Sequence, residues 1–261
     1  MQLGDLLALE PHGPDTWVGT GPSYPWGGLY GGQIVAQGLM AAAHSVPEEF
    51  AIHSLHAYFI RRGDASAPIR FEVDRIRDGR SFFTRRVVAR QSTGAILNMS
   101  ASFQLAEAGA EAQTIQMPDA PAPDSLKPDS WSPLFDRRQV PSTPESGRGQ
   151  AWFRLLNEVG DQSVRHACAL AYASDDMPMD AVIAVHPDRV TMKDVWATSL
   201  DHAIWFHRPL RAENWHLYDF AVHWLGGGRG LTLGHIFMPD GAHIATVAQE
   251  LLVRPRRESK A

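Results

Sequence analysis

Two stretches of this chain are built from the same parts in the same order. HSLHAYFIRRGDASAPIRFEVDRI begins at His53, and TSLDHAIWFHRPLRAENWHLYDFAVHW spans residues 198–224. Each opens on a Ser-Leu step (Ser54-Leu55, Ser199-Leu200), runs through an aromatic strand pattern, breaks at a basic loop and resumes as a strand. Each is followed by a Gly-Arg step, Gly79-Arg80 or Gly228-Arg229, and then by two apolar strand patterns divided by a short turn. Self-similarity on this scale outranks local propensity in deciding a fold, because one unit written twice restricts the chain to two copies of one architecture.

With 261 residues and 44% hydrophobic content the chain is long enough for a substantial core and for two ordinary domains. Its 24 basic and 29 acidic residues, net charge -5, leave no electrostatic footprint for nucleic acid or an anionic membrane surface, so neither is expected as a partner. The single cysteine, Cys168, excludes an internal disulfide and a multi-cysteine metal site, and fits a reducing compartment. The sequence has no apolar run of about 18 residues, and MQLGDLLALEPHGPD lacks the basic start and long apolar stretch of a secretion signal. The expectation is a soluble, cytoplasmic protein.

From Gln33 to about His44, QIVAQGLMAAAH is small or apolar nearly all round, as a helix buried on most sides requires, and YPWGGLYGG before it carries paired glycines suited to close backbone approach. The Ser54 strand pattern, IRFEVDRI, SFFTRRVVARQ and AILNMSASFQL then read as antiparallel sheet with turns at Asp78-Gly79 and Thr93-Gly94. Residues 106–145 turn rich in Pro, Ala and acidic residues (AEAGAEAQ, PDAPAPDSLKPDS), which marks a surface linker without a catalytic part. Beyond it VRHACALAYAS, residues 164–174, repeats the buried-helix pattern and ends at Asp175, Asp176 and Pro178. The Ser199 segment, WHLYDFAVHW, GLTLGHIF and HIATVAQELLV follow, with a turn at Pro239-Asp240-Gly241. Edge strands of two such units invite pairing with each other, so the two sheets are expected to join edge to edge.

Differences in polarity between the copies point to a site in the second. Counting from the turn glycines Gly94 and Gly241 sets Gln249 against Ser102, and counting from the Ser-Leu step sets Asp201 against His56. Asp175 ends the second helix where the first ends near His44 and Ser45. Buried amides and carboxylates cost a few kcal/mol unless partnered, so several in one copy suggest a polar pocket. Each also has an ordinary structural role: a turn carboxylate for Asp175, an edge-strand amide for Gln249, a strand start for Ser199.

LYGGQIVAQGL, HSLHAYFIRRGD, IRDGRSFFTRRVVARQ, YASD, SLDHAIWFHRP, GGRGL and AQELLVR, in this order, resemble the acyl-CoA thioesterase II family over nearly the whole chain outside the linker. The resemblance implies a double hotdog, an α+β fold of two repeats, each a buried helix wrapped by a curled antiparallel sheet, here divided as residues 1–107, linker 108–145 and 146–261. It implies hydrolysis of acyl-CoA thioesters with Asp175 in YASD, Ser199 in SLDH and Gln249 in AQE as the catalytic residues. Ser199 rests on the resemblance alone. The sequence departs from the family at Leu251, where Gly usually follows Gln-Glu, at His223 and Trp224, where small residues are usual, and at Asp176, where an apolar residue is usual. Bulk at the first three places narrows an acyl groove, and a second carboxylate perturbs Asp175 by like-charge repulsion.

A thioester carbonyl is electrophilic enough for water held by a carboxylate base and two orienting donors, with no covalent nucleophile, cofactor or metal. Asp175 would take the proton, Ser199 and Gln249 would hold the water, and a backbone N–H near Gly31 and Gly32 would meet the developing oxyanion. There is no G-x-S-x-G elbow or H-E-x-x-H, GGGRG is a poor phosphate loop, and His202 and His207, five apart on a strand, point to opposite faces. Arg61, Arg62, Arg85, Arg86 and the Arg254–Arg257 region are candidate contacts for the CoA phosphates. The expected partner is acyl-CoA, with a homo-oligomer left open. The alternative is a noncatalytic acyl-CoA or acyl-carrier binding protein in which His223 and Trp224 block productive poses; a hydratase or dehydratase would want His and Asp in place of Asp, Ser and Gln.

Overall fold

The computed structural model describes residues 1–143 and 146–256. The chain opens with α1 (Leu3–Leu7), β1 (Glu10–Pro11) and β2 (Thr16–Gly19). A helix, α2 (Gly31–Ala43), then leads into β3 (Phe50–Phe59), β4 (Ile69–Asp78), β5 (Phe82–Gln91) and β6 (Gly94–Leu105). After β7 (Phe135–Val140) and β8 (Arg148–Leu155) come α3 (Ser163–Ser174), α4 (Met177–Ala184), β9 (Val195–Ser199), β10 (Asp201–Phe206), β11 (His216–Gly226), β12 (Arg229–Phe237) and β13 (His243–Pro255). Few helices and one large antiparallel sheet make this a mixed α and β fold.

The sheet runs β1-β2-β4-β5-β6-β3-β10-β13-β12-β11-β8-β7, with β9 paired to β13 beside β10. Its centre is the joint expected from the edge-strand argument: β3 and β10 pair antiparallel, His56 opposite Ala203 and Ala57 opposite His202. Helix α2 survives burial because its sequence, GGQIVAQGLMAAA, is small or apolar on nearly every side; its two buried amides are hydrogen-bonded in series. Tyr24 Oη donates to Gln33 Oε1, Gln33 Nε2 to Gln37 Oε1, and Gln37 Nε2 to the carbonyls of Leu6 and Thr20. Phe71 and Phe103 are fully buried in the first half's core, where truncating either to Ala would cost about 3–5 kcal/mol.

Helices α2 and α3 pack side by side with opposite directions. The start of α2 meets the end of α3, where Tyr30 Oη donates to the Tyr172 carbonyl, and the end of α2 meets the start of α3 around a cavity of about 240 Å³ lined by Met40, His44 and Ser163 among others. The approach at the first junction is close enough to demand glycine: a Cβ on Gly32 would lie 2.3 Å from the Tyr172 carbonyl oxygen.

Backbone hydrogen bonds in equivalent places correct two of the counts made on the sequence. Ile60 N and Arg61 N both donate to Ile96 O, and His207 N and Arg208 N both donate to Ile244 O. Counting back from these pairs sets Leu55, not Ala57, against His202, and Ala203, not Asp201, against His56. On the last strands the buried Met99, Ala101 and Phe103 alternate as Val247, Gln249 and Leu251 do, so Gln249 stands where the first half has Ala101. Ser102 lies on the opposite face, bonded to His53. The turn and the interrupted β9–β10 strand differ in length from their counterparts, and a one-residue slip in a strand exchanges the faces.

The stretch 108–145 also differs from a free linker. It contains β7, whose Phe135 and Val140 are buried, and its proline-rich part is strapped to the sheet. Met117, Ala120 and Leu126 pack against Trp152, Leu217 and Phe237; Trp152 Nε1 donates to the Pro121 carbonyl at 2.9 Å and Arg138 Nη1 to the Leu126 carbonyl at 2.7 Å. Prolines leave their carbonyls free to accept, which lets such a segment bind a sheet face without forming a strand. Among the described residues no helix is long and apolar enough to cross a membrane.

Candidate active site

Asp175 is the C-cap of α3, and Asp176 and Pro178 turn the chain into α4. Ser199 is the last residue of β9, and Gln249 lies on the inward face of β13. The three residues named from the sequence meet. Gln249 Nε2 donates to Asp175 Oδ1 at 2.8 Å and to Ser199 Oγ at 2.7 Å, and Ser199 Oγ donates to Asp175 Oδ1 at 3.1 Å. The other carboxylate oxygen, Oδ2, accepts from Gly32 N at 2.9 Å, in the first turn of α2.

The first half therefore supplies part of the site, and the paired glycines have their explanation here: a Cβ on Gly31 would sit 2.6 Å from Asp175 Oδ2. Asp175 stands at the end of one helix, which disfavours an anion, and at the start of another, which favours one. Burial outweighs the three donors and pushes its carboxyl up to about 6. The Gly32 N–H, expected near an oxyanion, is instead committed to Asp175.

Asp176 has partners of its own. Its carboxylate is buried beside the Arg137 guanidinium, 3.0 Å away, and accepts from Trp131 Nε1, so both partners come from the stretch read as linker. Burial pushes Asp176 up to about 6 against the pull of these partners, with a smaller part from the Asp175 charge, and burial is the first cause that raises Asp175.

Other expectations move. Asp201 lies outside the pocket: its Oδ1 accepts from Glu250 N at 2.7 Å, holding the break between β9 and β10, and its Oδ2 contacts His56 Nε2 at 3.2 Å. His223 and Trp224 face solvent at a bulge in β11, whereas Leu251 is buried with Val182, Val195 and Val253 and pairs with Ser199 in the sheet. Arg85 is fully buried on Ser45 and Asp78 and is no phosphate contact; Arg86 pairs with Asp74, and Arg257 lies outside the described residues.

One residue of the site was not singled out from the sequence. His202, fully buried on β10, places Nδ1 2.5 Å from Gln249 Oε1 and Nε2 2.9 Å from Ser174 Oγ. It sits inside the apolar run DHAIWF, where strand alternation alone does not separate a site histidine from a core one. Its opposite orientation to the half-exposed His207 is as the odd spacing requires. No group of three or more potential metal-binding side chains occurs among the described residues.

Residues 111–253 match the family model for the acyl-CoA thioesterase C-terminal domain, and residues 20–104 match that for the N-terminal domain. The chain belongs to the acyl-CoA thioesterase family. It is 34% identical to human acyl-coenzyme A thioesterase 8 over 95% of this chain and 88% of that protein. Among solved structures, an acyl-CoA thioesterase II from Mycobacterium marinum superposes with a TM-score of 0.87 at 37% identity, covering 99% of both chains. At 20% identity and a TM-score of 0.82, a hot dog protein from Alicyclobacillus acidocaldarius, matched over 98% of each chain, shows the fold alone. The matched length includes most of the stretch read as linker, in keeping with the strand and the strap found there.

Proposed function

We propose that this acyl-CoA thioesterase hydrolyses its substrate with water activated by Asp175 and oriented by Ser199 and Gln249. The observation that carries the reading is the convergence of Ser199 and Gln249 on one buried carboxylate oxygen, Asp175 Oδ1. Water entering beside the partly exposed Ser199 replaces one of the contacts within the trio, and Asp175 accepts its proton as it attacks the thioester carbonyl. The tetrahedral oxyanion then needs a donor, for which the Gly31 N–H in the first turn of α2 is the candidate, since Gly32 already serves the base. As the tetrahedral adduct collapses, the C–S bond breaks and the CoA thiolate takes up the proton that Asp175 accepted, which leaves the carboxylate ready for the next water and suits a site with one titrating base.

The fold is read as a double hotdog with a pseudo-twofold axis at the β3–β10 joint, its two helices crossing so that one junction holds Asp175 and the other holds His44. The first half has Leu55 and Ala101 where the second has His202 and Gln249, which supports a single working site. The noncatalytic alternative rested on His223 and Trp224, which are turned to solvent. A thiol-release assay across acyl-CoA chain lengths separates the two readings: steady release of CoA supports hydrolysis, and saturable binding without release at every length refutes it.

A further inference from the structure

We propose that His202 is a positioning residue whose Nδ1–H fixes the side-chain amide of Gln249, so that both Nε2 hydrogens face Asp175 and Ser199. The inference rests on the reading of Asp175, Ser199 and Gln249 as the hydrolytic site and assigns the device that holds one of them in working orientation.

An audit of donors and acceptors supports it. Gln249 Nε2 has two hydrogens and two acceptors within reach, Asp175 Oδ1 at 2.8 Å and Ser199 Oγ at 2.7 Å. With the amide reversed, Oε1 would face the buried Asp175 carboxylate, acceptor against acceptor. What holds the amide the right way round is the far side, where Oε1 lies 2.5 Å from His202 Nδ1. An amide oxygen only accepts, so His202 must carry its proton on Nδ1 and its Nε2 is left to accept; the Ser174 hydroxyl has one hydrogen for His202 Nε2 at 2.9 Å or for the Ala171 carbonyl at 3.3 Å, and the shorter contact takes it. The chain of bonds runs Ser174, His202, Gln249, Asp175, and begins and ends on neighbouring residues at the end of α3.

The imidazole is suited to this task. Burial pushes His202 down to about 4, so it stays neutral with one proton. The titratable groups nearest it are Asp201 and His56; those near Asp175 are Asp176, Tyr30 and Tyr172. The first half has Leu55 in the place of His202 and Ala101 in the place of Gln249, both buried. Packing at this position is thus met by leucine, and the histidine answers a need that arises only where there is an amide to orient.

The test compares His202→Leu, His202→Asn and Asp175→Asn with wild type by thiol release as a function of pH, with folding followed by circular dichroism. His202→Leu is expected to lower kcat roughly 10- to 100-fold, the effect of losing one buried hydrogen bond and the orientation it sets, with KM within about twofold. Because the Gln249 bond lowers the Asp175 pKa, the acid limb near 6 should move to higher pH in the same variant. His202→Asn, whose Nδ2 can donate where Nδ1 did, should recover most of the rate and return the limb. Loss of packing alone would lower thermal stability without moving the limb.

A folded His202→Leu protein with wild-type kcat and an unmoved limb, or a His202→Asn variant no better than His202→Leu, overturns the proposal. If His202→Leu fails to fold, nitrogen-15 spectra of histidine-labelled intact protein decide: the proton of His202 on Nδ1 upholds the assignment, and on Nε2 it overturns it. Asp175→Asn separates the levels. Retained turnover there defeats the hydrolytic reading itself, whereas its loss beside a wild-type His202→Leu defeats the positioning role only.

Discussion

At the scale of single residues, the site is organised by what burial does to one carboxylate. Asp175 would titrate near 3.8 in water and is raised to about 6, so ionising it in the folded protein costs free energy that the unfolded chain does not bear. The sign follows: as pH rises from about 4 through about 6 this group takes stability away, and over the same window the carboxylate that the proposed mechanism needs is formed. We therefore expect kcat to rise with pH along an acid limb near 6 and to plateau above it; a limb near 4 would show that the buried carboxyl is not the titrating base. Ser199→Ala and Gln249→Ala should each lower kcat by roughly tenfold or more. Combined with Asp175→Asn they should be less than multiplicative, because residues that act on one water fail together. Fully multiplicative losses would place them in separate steps. Asp175, Ser199 and Gln249 were legible because they stand in short strings of a known family. His202 was not, since a buried histidine in an apolar run looks the same on a sequence whether it orients a neighbour or fills space.

At the scale of elements, the decisive contact is the end of α3 against the start of α2. The sequence motif YPWGGLYGG announces close approach without saying to what; the answer is the Tyr172 carbonyl and the Asp175 carboxylate. Gly32→Ala places a methyl group against backbone that cannot rotate away, so it should destabilise the fold by about 1–3 kcal/mol, the range of overpacked sites, and lower kcat as the helix start recedes from Asp175. A variant with unchanged melting temperature and rate would mean that the two helices have room to spare. Helices α2 and α3 and the longer strands were readable from small-residue runs and alternation. Strand β7 was not, because it follows a proline-rich stretch whose composition says linker while its buried residues, Phe135 and Val140, say edge strand. For the same reason the segment between Pro118 and Pro128 is less expendable than composition suggests. Shortening it should remove the Pro121 and Leu126 carbonyls from Trp152 and Arg138 and lower thermal stability, where a free linker would leave the melting temperature unchanged.

At the scale of the whole molecule, one sheet runs through both halves by way of β3 and β10, and the second half's carboxylate accepts a backbone hydrogen from the first. A repeated pattern was visible in the sequence, but the correspondence that the proposed double hotdog requires was not, since turns and a broken strand of unequal length shift the count by a residue or more. The half spanning residues 1–107 leaves β3 as an unpaired edge and α2 without α3, so by itself it should be aggregation-prone and inactive. The second half alone should lack turnover even where it folds, because the Gly32 donor is missing; an active isolated second half would show that the site is complete without its partner. All of this turns on Asp175 as the base. The most direct test is acyl-CoA thiol release by Asp175→Asn protein with wild-type circular dichroism: the expected result is a fall in kcat of roughly 100-fold or more, the usual size of a general-base contribution, and turnover equal to wild type would contradict the mechanism.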